Sequence, residues 1–98
     1  MKPPRIEWDE AKNIENQRKH GVSFEEGSTV FADENALFIS DPDHSVEEDR
    51  FILMGFSSSI KVLVVCHCYR RDDHIIRIIS VRKADRKERL QYSERWKR

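Results

Sequence analysis

Ile75-Ile76-Arg77-Ile78-Ile79-Ser80-Val81-Arg82-Lys83-Ala84-Asp85-Arg86-Lys87-Glu88-Arg89 is the stretch that decides the fold. Its first half is apolar and rich in β-branched residues, which reads as a strand over 75–81. Its second half changes to helix chemistry. Asp85 followed by Glu88 is a capping-box start, and a helix over 86–97 ends the chain. Moving back along the chain, 61–69 is a strand rich in Val and Leu, and 50–56 is another apolar strand. Gly55-Phe56-Ser57-Ser58-Ser59 and Arg71-Asp72-Asp73-His74 supply the turns between them. Connections this short favour an antiparallel meander, with a fourth short strand at 36–40.

The amino-terminal half supplies helices. Ile6 to Trp8 reads as a short edge strand or an extended lead-in. Asp9 has the chemistry of an N-cap, and Glu10 adds negative charge to the first turn of a helix over 10–19. Ala11, Ile14 and Arg18 define one face of that helix, and Gly21 is placed to end it in a left-handed turn. Ser23 with Glu26 predicts a second capped helix over 24–32, burying Phe24, Val30 and Phe31. Asp41 to Asp49 is acidic, contains Pro42 and reads as a loop. The result is an α+β fold: two helices, an antiparallel sheet of about four strands, then a helix. Helices pack on one face of the sheet, and the other face stays partly open. At 98 residues the chain is expected to be a single domain, 1–98.

Composition narrows the functional classes. The net charge is zero, but residues 1–49 carry 5 Lys/Arg against 13 Asp/Glu, and residues 50–98 carry 13 against 5. That asymmetry suggests a nucleic-acid contact or a charged partner. No apolar run approaches the roughly 20 residues of a membrane helix. Met-Lys-Pro-Pro-Arg leads into Ile6-Glu7-Trp8-Asp9 rather than an apolar signal core, so a cytoplasmic location is expected. Cys66 and Cys68 point the same way from one strand, too close in sequence for an easy disulfide, and are expected as reduced thiols.

Several blocks of this sequence occur together in one known family. They are Ile6-Glu7-Trp8-Asp9 with Lys12, Asn13 and Asn16; Lys19-His20-Gly21-Val22-Ser23-Phe24-Glu25-Glu26; Asp41-Pro42 with His44-Ser45; and Glu48 and Arg50 before an apolar strand with Gly55. Leu63-Val64-Val65 with His67 follows, then Arg77-Ile78-Ile79-Ser80, Arg82-Lys83-Ala84, Glu88-Arg89 and Tyr92. In their order and spacing the chain resembles the BrnT family of type II toxin–antitoxin toxins. The resemblance covers nearly the whole chain. It departs at Cys68, where similar proteins often carry Thr, and at the variable turn Arg70–His74. It implies a small ribonuclease with a RelE-like fold that inhibits translation. It also implies a cognate antitoxin bearing a ribbon-helix-helix segment, and a complex of the two that represses its own promoter.

RNA cleavage without a metal needs a base for the 2′-hydroxyl, an acid for the leaving oxygen and cations for the phosphorane-like charge. Arginine suits the last role because its fork matches phosphate oxygens. Simple alternation puts Arg77, Ile79 and Val81 on one face of their strand, which leaves Arg77 a lone charge among apolar neighbours. It either contacts phosphate or pairs with an acid such as Glu48 or Asp49. Arg77 and Arg82 are the candidates for the scissile phosphate, and His67 is the candidate for proton transfer because imidazole titrates near neutrality. Lys83, Arg70 and Arg86 are candidate RNA contacts. The competing assignments are an ion pair for Arg77, a solvated or antitoxin-facing position for Arg82, and a partly buried core position for His67. His20, His44 and His74 sit at a helix end or in loops. Tyr69 and Tyr92 are either core-edge residues or stacking surfaces for a base.

No metal or cofactor is expected. Cys66, His67 and Cys68 alternate across the strand, so the histidine faces away from the thiols. The three glycines, Gly21, Gly27 and Gly55, form no phosphate-cradling loop. A second functional class stays open beside the ribonuclease: a non-catalytic module that binds nucleic acid or a partner chain through the same basic edge.

Overall fold

A computed structural model describes residues 5–40, 50–70 and 74–95. The elements run β1 (Arg5–Glu7), α1 (Glu10–His20), α2 (Phe24–Ser28), a 3-10 turn (Thr29–Ala32), β2 (Leu37–Ser40), β3 (Arg50–Phe56), β4 (Val62–Arg70), β5 (Ile75–Lys83) and α3 (Arg86–Glu94). The fold is α+β, and β2 through β5 form the expected antiparallel meander. The acidic segment 41–49 and most of the turn at 71–74 lie outside the described residues, as do residues 96 and 97 of the expected last helix. No helix of the described residues is long and apolar enough to cross a membrane.

The sheet has five strands, in the order β1-β5-β4-β3-β2, and it is mixed. The Ile6 segment is a true strand. It lies parallel to β5, with Ile6 opposite Ile76, and its alternation sends Ile6 into the core while Arg5 and Glu7 face the other way. Beyond Glu7 the outer edge of β5 continues without a strand beside it. Asn16 of α1 serves there instead. Its amide donates to the Val81 carbonyl at 2.8 Å and accepts from the Val81 N–H at 3.1 Å, as a neighbouring strand would.

This role reverses the expected face of α1. Ala11, Ile14 and Arg18 are exposed, and Ile14 keeps 56% of its surface accessible. The buried residues of the helix are Asn13 and Asn16. Asn13 accepts from the Phe24 N–H, and Asn16 also donates to the Val22 carbonyl, so two buried side-chain amides tie α1 to the turn that follows it. Buried polar groups survive when their hydrogen bonds are made, and these are. Gly21 takes the left-handed conformation at φ 69° that ends α1, and Asp9 caps its start by accepting from the N–H groups of Ala11 and Lys12.

The second helix is shorter than the expected 24–32. Ser23 caps it, but the Glu26 carboxylate reaches the β3–β4 turn, accepting from Ser57 and Ser59, rather than closing a capping box. Ser28 and Thr29 donate back to the carbonyls of Glu25 and Glu26, and the chain tightens into the 3-10 turn. That turn delivers Val30, fully buried, to a core of Val22, Phe24, Leu53, Leu63, Val65, Ile78 and Val81. Gly27 permits the close approach: a Cβ there would lie 2.5 Å from Val81 Cγ2.

The last helix is on the other side of the sheet. The complete capping box of Asp85 and Glu88 starts α3 as expected. Tyr92 then packs with Met54, Val64 and Ala84, beside Leu37, Ile52, Phe56 and Val62, in a second, separate core. Helices therefore lie on both faces rather than one. Periodicity tells which residues of a helix are buried, not which face of a sheet buries them.

Candidate nucleic-acid interface

The register of the strands shows which side chains share a face. Cys68 pairs with Arg50 on one side and with Arg77 on the other, and Arg77 pairs with Glu7. One row along, Ile75 lies between Arg5 and Arg70. At the other end Val64 pairs with Arg82 and Met54. Directly paired residues face the same way. Arg5, Arg50, Arg70, Arg77 and Arg82 thus come from four adjacent strands to one face of the sheet, the face that carries α3.

A β-bulge makes this possible. Cys66 pairs with Ser80 and His67 with Ile78, so Ile79 is an extra residue in β5. The expected grouping of Arg77, Ile79 and Val81 is therefore overturned. Val81 turns to the helical core with Ile78, and Arg77, Ser80 and Arg82 share the opposite face. Among the described residues, α3 covers the Met54 and Phe56 end of that face. What remains includes a cleft of about 230 Å³ lined by Arg50, Ile52, Val64, Cys66, Ile79, Ser80 and Arg82.

Among the described residues, carboxylates hold Arg77 and Arg82. Arg77 donates to Glu7 at 2.8 Å, and both side chains are about one-third accessible. The expected partners Glu48 and Asp49 lie outside the described residues. Arg82 donates through both terminal nitrogens to the two oxygens of Glu88, at 2.7 and 2.8 Å. This fork, foremost, and the Asp85 N–H hold the Glu88 carboxyl down at about 2, against the effect of burial. The same pairing pushes the Arg82 guanidinium up from its ordinary value. Arg82 still keeps 42% of its side chain accessible, so its charge is oriented without being covered. Arg77 lies opposite Cys68 and Arg82 opposite Val64, so with the bulge taken up the two are four residues of β4 apart, roughly 13 Å at about 3.3 Å per residue. Each is anchored to its own carboxylate, so the two do not converge on a single point.

His67 is elsewhere. It is fully buried on the face that carries α1 and α2, with the sheet between its ring and the arginines. Phe31 lies 5.0 Å and Tyr69 5.4 Å from it, with Phe38 and Phe51 close by. Nδ1 is 3.3 Å from the Val65 carbonyl, and Nε2 has no hydrogen-bond partner among the described residues. Burial pushes the imidazole pKa below its usual value, with the Val65 carbonyl opposing, so the ring is neutral at neutral pH. The geometry does not bring His67 to Arg77 or Arg82.

Lys83 also faces away. It pairs with Leu63 on the face that carries α1 and α2, where burial would raise the Glu26 carboxyl but hydrogen bonds from Ser57 and Ser59, with the charges of Lys61 and Lys83, hold it down. Arg86 is exposed on the first turn of α3, and Arg70 is exposed at the far end of the arginine face. Two residues of this face, Arg5 and Arg50, were not singled out by sequence as RNA contacts. The register of their strands is the signal that places them there. Among the described residues no cluster of three His, Cys, Asp or Glu side chains could hold a metal ion.

The comparisons with known proteins agree with one another. A family profile described as the ribonuclease toxin, BrnT, of type II toxin–antitoxin systems matches residues 8–88. The crystal structure of the Brucella abortus ribonuclease toxin BrnT superposes with a TM-score of 0.66 at 22% identity, covering 85% of this chain and 99% of that one. At that identity the likeness speaks for the fold. No curated protein matches the chain.

Proposed function

Because the chain belongs to the BrnT family of ribonuclease toxins of type II toxin–antitoxin systems, we propose that it cleaves RNA on the arginine-bearing face of its sheet and so inhibits translation in the cytoplasm. The observation that carries this reading is the Arg50–Arg82 cleft, in which a carboxylate fixes a half-exposed guanidinium in direction and charge. Fixed cations aimed at a site where negative charge develops lower the barrier without reorganising. Arg82, with Arg50 across the cleft, holds the scissile phosphate. Arg77 holds the neighbouring stretch of backbone. The 2′-hydroxyl attacks phosphorus, the 5′-oxygen leaves, and the arginines stabilise the phosphorane-like charge. No metal is required in this scheme, and activity is expected to survive a chelator.

The buried ring of His67 has no path to the cleft, so this scheme gives it a packing role. Proton transfer falls to solvent or to groups at the cleft itself. A type II toxin implies a cognate antitoxin. In this reading the antitoxin carries the ribbon-helix-helix segment, silences the toxin and brings it to promoter DNA, and the isolated chain does not bind its operator specifically.

Arg82→Ala tests the proposal. Loss of one such donor costs roughly 2.7–4 kcal/mol in the transition state, about 100-fold or more in rate. The folded variant is expected to lose toxicity in cells lacking antitoxin while still binding the antitoxin. Cleavage by folded Arg82→Ala at the native rate would move the active site away from this cleft.

A further inference from the structure

We infer that the far end of the arginine face, where Arg5 and Arg70 flank Ile75, is a second backbone subsite that grips single-stranded RNA several nucleotides away from the cleft; this rests on the RNA-cleaving reading of the face. Arg5 and Arg70 are both paired with Ile75, from β1 on one side and β4 on the other. Two strand spacings put their Cα atoms about 10 Å apart, with side chains directed to the same face. A depression of about 400 Å³ lies between them, lined among the described residues by Arg5, Glu7, Arg70 and Ile75.

The electrostatics of this end differ from those of the cleft. Arg77 and Arg82 are each neutralised by a carboxylate, whereas neither Arg5 nor Arg70 has an ion-pair partner among the described residues. Glu7, which lines the same depression, is taken up by Arg77. Two exposed guanidinium groups with no ion-pair partner among the described residues, set across a depression floored by Ile75, are suited to a phosphodiester, whose oxygens accept paired N–H donors. The nucleobase above is left to contact Ile75 rather than to be read by hydrogen bonds. The subsite therefore adds affinity without sequence choice.

Distance sets the class of ligand. Ile75 and Arg82 are separated by seven residues of β5, one of them taken up by the bulge, or roughly 20 Å. One phosphate cannot bridge that span. A single strand of about four or more nucleotides can, running past Arg77 on the way. A duplex is a poorer fit, because α3 rises beside the cleft at the other end of the face.

Binding of fluorescein-labelled, uncleavable 2′-O-methyl oligonucleotides of about three and about twelve nucleotides tests this, comparing native protein with R5Q/R70Q. Glutamine keeps the polar bulk of these exposed positions, and a thermal melt checks the fold. The double variant is expected to bind the longer strand roughly tenfold more weakly, with a salt slope shallower by about 1.4, since each lost single-strand contact removes about 0.7. Binding of the short strand is expected to stay at the native level. Equal losses at both lengths, or no loss at either, would overturn the subsite while leaving the cleft intact. If native protein binds neither strand and Arg82→Ala is as toxic as the native chain, the RNA reading of the whole face fails, and the subsite with it.

Discussion

The side chain of Asn16 stands in for a missing strand beside Val81, making both of the backbone hydrogen bonds that β1 is too short to supply. A third bond runs to the Val22 carbonyl at 2.9 Å. Asn16→Ala leaves all three backbone groups unsatisfied in a buried setting. Each such group costs about 1–3 kcal/mol, so a loss on the order of 3 kcal/mol or more is expected in urea denaturation. That is a large part of the stability of a small domain. Ile14→Ala on the exposed side of the same helix is expected to change stability by less than about 0.5 kcal/mol. A reversed ranking would mean that α1 is held by its apolar side after all.

His67 gives a pH signature. Its folded pKa lies below the ordinary 6.5, because burial disfavours the charged ring. The unfolded chain takes up the proton first as pH falls. The stability linked to this ring is therefore complete above about pH 6.5 and is lost progressively below it. His67→Phe is expected to flatten the stability profile in that window and to leave RNA cleavage in place. A folded His67→Phe protein with no cleavage at any pH would restore the histidine to the chemistry.

Glu88 works in a lower window. Its carboxyl titrates at about 2 when folded, against an ordinary 4.5, chiefly through the Arg82 fork. A depressed carboxylate stabilises the fold above its unfolded pKa, and the contribution fades as pH falls from about 4.5 to about 2. Glu88→Gln retains an acceptor for the Asp85 N–H and loses the charge. The expected result is a shallower acid-unfolding curve, with the start of α3 preserved by circular dichroism. Weaker RNA cleavage should accompany it, because the guanidinium of Arg82 is no longer steered. Asp85→Ala removes the cap but keeps the ion pair, so it is expected to lower stability more than activity.

Ile60 is strained. It sits at φ 61° in the β3–β4 turn with 77% of its surface exposed, in a conformation that β-branched residues rarely adopt. The left-handed region costs an L-residue about 1–2 kcal/mol, and glycine gives back part of that in unfolded-state entropy. Ile60→Gly is expected to raise stability by roughly 0.5–1 kcal/mol, or several degrees in Tm. An unchanged or lower Tm would mean that Ile60 makes a stabilising contact that its exposure hides.

The parts of this fold that sequence made legible are the local ones. Asp9, Gly21, Ser23 and the Asp85–Glu88 box act within a turn or two of themselves, and each caps the element it was expected to cap. The strands of the meander follow from their own apolar runs. The rest depends on groups distant in sequence. Asn13 and Asn16 are polar, so no hydrophobic period marks them as buried. Glu7 as the partner of Arg77, 70 positions away, follows only from the parallel pairing of β1 with β5. His67 was legible as a residue facing away from the thiols, but not as the centre of an aromatic cluster, since Phe31, Phe38 and Phe51 reach it from three other elements. The basic run was legible as charge. Its division between two faces was not.

That division comes down to counting by twos. Arg77 and Arg82 are an odd number of residues apart, and in an uninterrupted strand they would project to opposite sides. The extra Ile79 changes the count, bringing Arg82 round beside Arg77 and sending Lys83 to the acid side, toward Glu26. Deleting that one uncharged residue would leave Arg77 and Arg82 four positions apart, an even count, so both would still face the same way. Pairing every residue of β5 one for one through Ile79 would instead exchange Arg82 for Lys83 on the arginine face, and the same formal charge would arrive as a point cation with no fork and no Glu88 to aim it. The identity of the cation on that face is thus set by the bulge as much as by the residue itself.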